Sequence, residues 1–179
     1  MSFYTRKLPH WQPAGAALFL TWRLDGSLPR EYRTAHPDMD PGRQFVDQDR
    51  ILDRATSGPT WLADPRVALL VADALRYGEA SLQPYELAAW VIMPNHVHLL
   101  IDPRAPIARI NHSIRGYSGR EANRALGCTG AFWQHEGYDH WARNGGEFGR
   151  IAGYIERNPV TAGLAGSPED WRWSSAFVG

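Results

Sequence analysis

Lysine is almost missing from this chain. Of its 19 basic residues only Lys7 is Lys, and the other eighteen are Arg. Arg suits the planar geometry of phosphate recognition better than Lys does, although biased codon usage alone gives the same skew. Cysteine is as scarce. A single Cys128 excludes an intrachain disulfide and a cysteine-built zinc site, and it fits a reducing, cytoplasmic setting. Apolar runs such as Leu87–Met93 fall far short of the roughly 20 residues of a membrane helix. The opening stretch Met1–Lys7 has no signal-peptide core. No partner in a membrane is therefore expected. Net charge is missing too, with 19 acidic residues against 19 basic. That speaks against a protein that coats nucleic acid indiscriminately, but not against a local basic surface.

What is present is a foldable, aromatic chain of 179 residues with eight Trp, a length that suits one domain. Its charges are segregated. Residues 1–30 carry four basic and one acidic group, 31–86 six basic and ten acidic, and 104–124 five Arg against Glu121 alone.

Ala16–Leu24 reads as a strand ending at the turn Asp25-Gly26-Ser27. Residues 28–60, rich in Pro and Gly, read mostly as loop, with a short helix near Phe45–Ala55. Their acidity suggests a solvated insertion facing away from any nucleic acid. Asp64 and Pro65 open a helix that Gly78 follows. Tyr85–Met93 and His96–Ile101 are two strands, antiparallel because the link is so short. Pro106–Leu126 is a helix with Ile107, Ile110, Ile114 and Tyr117 inward and Gly127 at its end. Ala131–Ala142 reads as an aromatic hairpin or loop, and Glu147–Asn158 as a last helix stopped by Pro159. Trp171 and Trp173 alternate and should pack on the sheet. The order predicts an α+β, ferredoxin-like antiparallel sheet with helices on one face.

Two patterns carry chemistry. In His96-Val97-His98 the strand alternation puts both imidazoles on one face, about 7 Å apart. That spacing suits chelation of a divalent ion; two hydrogen-bonded structural histidines are the alternative. An amidohydrolase barrel would need about 250 residues, and a histidine triad would need His where Leu100 stands. In Tyr154-Ile155-Glu156-Arg157-Asn158 the Tyr and Asn share a helix face. A phenol can attack phosphorus where a metal stabilises the phosphoryl charge; a packed Tyr and a helix-terminal Asn are the alternative.

Together these patterns resemble the HUH single-tyrosine transposases of the insertion-sequence type. The wording is similar to their REP-associated tyrosine transposase branch. It runs through Gly58-Pro59-Thr60-Trp61-Leu62, Trp90–Ile101, Phe132-Trp133-Gln134, Tyr138-Asp139-His140, Tyr154–Leu164 and Trp171–Ala176, and covers roughly 16–176. The resemblance implies a single HUH-type domain over 1–179, with a loop-rich segment at 28–60. It implies a single-strand DNA endonuclease and strand-transferase acting on palindromic hairpin DNA. His96 and His98 would hold Mg²⁺ or Mn²⁺, Tyr154 would form a 5′-phosphotyrosyl intermediate, and Asn158 would add a metal ligand. The wider group has Gln at that last position. Phosphate contacts would come from Arg109, Arg120 and Arg124 on one helix sector, with Glu121 too far round to cancel them, and from Arg115, which precedes Gly116 where the branch has Lys. Phe132, Trp133, Tyr138 and Trp141 could stack bases, while His135, Asp139 and His140 rank second as site groups. A second copy of the chain is a further partner, because spacing does not distinguish Tyr154 acting in its own chain from exchange in a homodimer. Two other functions stay open: an idle DNA-binding protein of this fold, and a metal-dependent phosphohydrolase with a structural Tyr154.

Overall fold

A computed structural model describes residues 16–29, Tyr32, 40–135 and 137–179. The basic N-terminal stretch up to residue 15 and much of 30–39 lie outside the described residues. Strands β1 (Leu18–Arg23), β2 (Tyr85–Ile92), β3 (His96–Pro103) and β4 (Tyr138–Trp141) form one antiparallel sheet in the order β2-β3-β1-β4. This is the ferredoxin-like arrangement. The segment read as an aromatic hairpin supplies its edge strand, pairing Tyr138 with Thr21 and His140 with Phe19.

Strand alternation sorts the side chains onto two faces. Leu18, Leu20, Trp22, Val97, Leu99 and Ile101 face one way. Against them pack α2 (Pro65–Tyr77) and α3 (Ile107–Leu126), through Val67, Val71, Leu75, Ile110 and Ile114, while Tyr117, expected inward, is 49% exposed because Ser118 and Gly119 take the buried positions. α2 starts where Asp64 accepts the Arg66 N–H at 2.9 Å, and α3 ends at Gly127 with φ 66°. Gly78 follows α2 because a Cβ there would strike Tyr85 Oη and lie 2.8 Å from Ile114 Cδ1. Phe132 and Trp133, expected to stack bases, are buried on this face at 3% and 7% exposure.

Helices on one face describes α2 and α3 only. The opposite face of Phe19, Ala89, Val91 and Leu100 is covered by α1 (Pro41–Arg54) and α4 (Gly145–Thr161), through Phe45, Ile151, Ala152 and Ile155. So the 28–60 stretch is less loop than expected. Asp40 caps α1 by accepting from Gly42 and Arg43, and Ala55 ends it in the left-handed region at φ 45°. The helix α4 also runs past the stop expected at Pro159. Proline forfeits only its own N–H bond to Ile155 O, and Ala162 N–H still reaches Asn158 O at 2.9 Å. The tail closes the β2 edge: Ile92 N–H donates to Trp173 O, and Trp171 and Trp173 pack on opposite faces. Among the described residues no helix is long and apolar enough to cross a membrane.

Candidate metal centre

β3 delivers His96 and His98 to the face covered by α1 and α4, and both are fully buried. Each ring is held through Nδ1. Asn95 Nδ2 donates to Leu52 O at 2.9 Å, which leaves its Oδ1 to accept from His96 Nδ1 at 2.7 Å. The His96 proton is thereby fixed on Nδ1 and the Nε2 lone pair points into the site. His98 Nδ1 lies 2.8 Å from Thr21 Oγ1, its neighbour across the sheet. Burial first, and the His98 imidazole second, hold the His96 imidazole far below its usual range, at about 3.

α1 contributes the third group. Asp49, 5% exposed, places Oδ1 at 3.0 Å from His98 Nε2 and 3.8 Å from His96 Nε2. Ligand atoms of Asp49, His96 and His98 all lie within 4.8 Å of one another. Burial raises the Asp49 carboxyl, yet its interaction with the adjacent His98 outweighs this and holds it below the ordinary carboxylate value. One turn on, Asp53 Oδ1 is also 3.8 Å from His96 Nε2. Its carboxyl is pushed up to about 7, by burial and then by the Asp49 charge. Asp49 Oδ1, Asp53 Oδ1, both Nε2 atoms and Asn158 Oδ1 are buried with no hydrogen-bond partner among the described residues. Orphaned polar atoms are costly singly. The Asp49, His96 and His98 ligand atoms suit a divalent cation, which that imidazole and carboxylate set would hold.

α4 brings the phenol. Tyr154 is 38% exposed, yet its hydroxyl donates to Asp49 Oδ2. Its ring centroid lies 5.6 Å from that of His98, 6.2 Å from Phe19 and 6.3 Å from Phe45. Asn158, on the same helix face, is buried and hydrogen-bonds to Asp53.

His96, His98, Tyr154 and Asn158 therefore meet, while the candidate arginines do not join them. α3 packs on the other sheet face, so the basic stretch is separated from the histidines by the sheet itself. Arg124 pairs with Glu121 at 2.6 Å, where no interference was expected. Arg115 donates to Gln134 O, and Arg109 and Arg120 are exposed. His140 is engaged by Glu147 at 2.9 Å. The sequence reading missed Asp49, Asp53 and Thr21. A signal for the first two existed: Phe45, Asp49, Leu52 and Asp53 fall on one helix stripe, and an acid on an apolar stripe asks for a partner.

With this geometry in hand, likeness to known proteins is informative. Residues 78–158, which hold both histidines, Tyr154 and Asn158, match the family described as Transposase IS200 like. A REP-associated tyrosine transposase of Escherichia coli (strain K12) is 29% identical over 94 residues, 52% of this chain and 55% of that protein. The chain thus matches little more than half the length of this curated relative. A solved REP-associated tyrosine transposase bound to a REP hairpin shares the fold, with a TM-score of 0.55 and 20% identity over 98% of this chain and 82% of that one. The α1 carboxylates lie upstream of the family-matched segment.

Proposed function

We propose, from the match of residues 78–158 to the IS200-like transposase family, that this protein cleaves and rejoins single-stranded DNA with Tyr154 as nucleophile. One observation carries the reading. The Tyr154 hydroxyl and both histidine Nε2 atoms share a single buried carboxylate, Asp49. The phosphohydrolase reading gives the phenol no part in the reaction, whereas this bond sets it against a residue of the metal cluster. Mg²⁺ or Mn²⁺ held by His96, His98 and Asp49 would supply neutralising charge for a non-bridging oxygen of the scissile phosphate.

The chain's own groups do the rest. Asp49 Oδ2 orients the phenol and is placed to accept its proton as Oη attacks phosphorus. The Oη–P bond forms as the bond from phosphorus to the 3′ oxygen breaks; that oxygen takes a proton from solvent, leaving a 5′-phosphotyrosyl link and a free 3′-OH. A second 3′-OH attacking that phosphorus releases Tyr154 and rejoins the strand, so no bond energy is lost to water. Phe19 and Phe45 pack about the phenol and help keep water from its buried side. Tyr154 meets the histidines of its own chain, which supports action in cis, without need of a homodimer. The REP hairpin bound by the structurally similar transposase supports hairpin DNA as the substrate. Arg109 and Arg120 are then candidates for phosphates away from the reaction centre.

Incubation with labelled single-stranded REP-type hairpins and Mn²⁺ should yield a denaturation-resistant protein–DNA adduct. Tyr154→Phe should abolish it. Replacing His96 and His98 by Ala should abolish it while hairpin binding persists. No adduct from the native protein would leave an idle DNA-binding protein; an adduct surviving in Tyr154→Phe would place the nucleophile elsewhere.

A further inference from the structure

The edge strand β4 carries two flat rings that the mechanism above does not use. Tyr138 and His140 sit two apart on it and so share one face. Their rings are nearly parallel, 13° between planes, with centroids 6.5 Å apart. A strand rises about 3.4 Å per residue, so side chains two apart stand about 6.8 Å from each other. Bases stack about 3.4 Å apart. A planar base between the two rings needs twice that spacing, and the pair already offers nearly all of it. Both rings are braced from outside. Phe45 stacks on Tyr138 at 4.3 Å and 24°. Among the described residues no ring contact joins Phe45 to His140, so Phe45 backs Tyr138 on the side away from it. Glu147 Oε1 accepts from His140 Nε2 at 2.9 Å and holds that ring by its rim. The His140 side chain is 31% exposed, which leaves the gap open to solvent.

We propose that Tyr138 and His140 form a stacking slot for one unpaired base close to the scissile phosphate. Phe45 links the slot to the nucleophile, since its ring also lies 6.3 Å from that of Tyr154. A nucleotide flanking the reacting phosphorus is thus within reach. The surroundings favour a base over a phosphate. Burial first, and then the charges of Asp139, Asp40 and Glu147, push the Tyr138 phenol up from its usual range. The phenol stays neutral, and the same three carboxylates repel a phosphate. This rests on the single-strand cleavage reading and deepens it by naming how the strand is held. Every base has a π-face, so the slot takes any of them, purines more tightly for their larger rings. It fixes the position of the strand and does not read its sequence. Glu147 is a positioning residue that acts through His140.

Abasic scanning tests the slot without cleavage. The full-length native protein, in EDTA, is titrated with fluorescent hairpins whose single-stranded flank lacks one base, position by position. At one position the missing base should weaken binding about 5- to 150-fold, the loss of one base stack. Tyr138→Leu and His140→Leu should bind the intact hairpin more weakly by a similar factor and no longer distinguish it from the abasic one. His140→Phe keeps a flat ring without the Glu147 bond and should keep most of the abasic penalty. Each protein is compared with itself on two DNAs, so a general loss of stability does not imitate the result. If Tyr138→Leu does not fold, the two His140 variants decide. An abasic penalty that persists unchanged in His140→Leu overturns the proposal. So does the absence of any position at which a missing base matters, or a native protein that binds no hairpin. The adduct assay is separate. An adduct without this coupling leaves the cleavage reading standing and removes the slot; coupling without an adduct keeps the slot in a protein that binds single strands and does not cut them.

Discussion

Replacing Asp53 by Asn in the metal-free protein should raise its stability at neutral pH, and the rise should itself depend on pH. Asp53 is 15% exposed, and burial together with the Asp49 charge moves its carboxyl from 3.8 to about 7. That gap amounts to about 4 kcal/mol, at about 1.4 kcal/mol per pH unit. Below 3.8 the carboxyl is protonated in both the folded and unfolded chains and costs nothing. Between 3.8 and about 7 the unfolded chain ionises first, so stability falls as pH rises; above about 7 the penalty is complete. Asp53→Asn lacks this titration and keeps an oxygen that can accept from Asn158. Urea denaturation of both proteins in EDTA, from pH 4 to 8.5, gives the difference curve. The variant's advantage should grow by up to about 4 kcal/mol towards pH 7 and then level. His96 adds an opposite slope to both proteins. Its imidazole, held at about 3 instead of 6.5, stays neutral when folded, so its contribution is present above 6.5 and lost as pH falls. The two slopes offset each other in the native protein between about pH 4 and 6.5. In the variant only the histidine slope remains, and its acid limb steepens. A difference curve that is flat, or that falls with pH, refutes the reasoning.

Other outcomes follow from the same contacts. Thr21→Val removes the hydroxyl 2.8 Å from His98 Nδ1 at little change in volume; Mn²⁺ affinity by calorimetry should fall about 10- to 100-fold, with strand pairing kept by circular dichroism. Gly58→Ala puts a Cβ against Gly26 O and 2.8 Å from Ser27 Cα at a φ of 75°. It should cost about 2–3 kcal/mol in urea denaturation, and a loss below about 0.5 kcal/mol would mean this turn yields freely. Arg124→Ala removes only an exposed pair with Glu121, and should change stability by less than about 1 kcal/mol.

Strand β3 and the histidines were legible because their signal is local. Alternation at a period of two puts His96 and His98 on one face, whatever the sheet packs against. The caps at Asp64 and Gly127 and the helix face shared by Tyr154 and Asn158 are equally local. β4 was harder to see. Its four residues are all half-buried and their pairing to β1 bridges well over a hundred residues, so neither pattern nor propensity marks it. Pro159 misled because a proline disfavours helix at the residue before it, whereas here the burial of Asn158 and Pro159 holds the backbone helical through both.

The sequence by itself determined the strand that presents two imidazoles, the helix that presents a phenol, and the α+β class that joins them. Only the tertiary structure decided which groups share the centre, because that depends on which face of the sheet each helix covers. Packing placed α3 and its arginines on the far side. It laid α1, from a stretch that reads mostly as loop, over the histidines, and so made Asp49 the carboxylate common to the metal site and the nucleophile. Charge runs along a chain are one-dimensional, but desolvation and coordination act through space, and a sheet only one layer thick is enough to separate them.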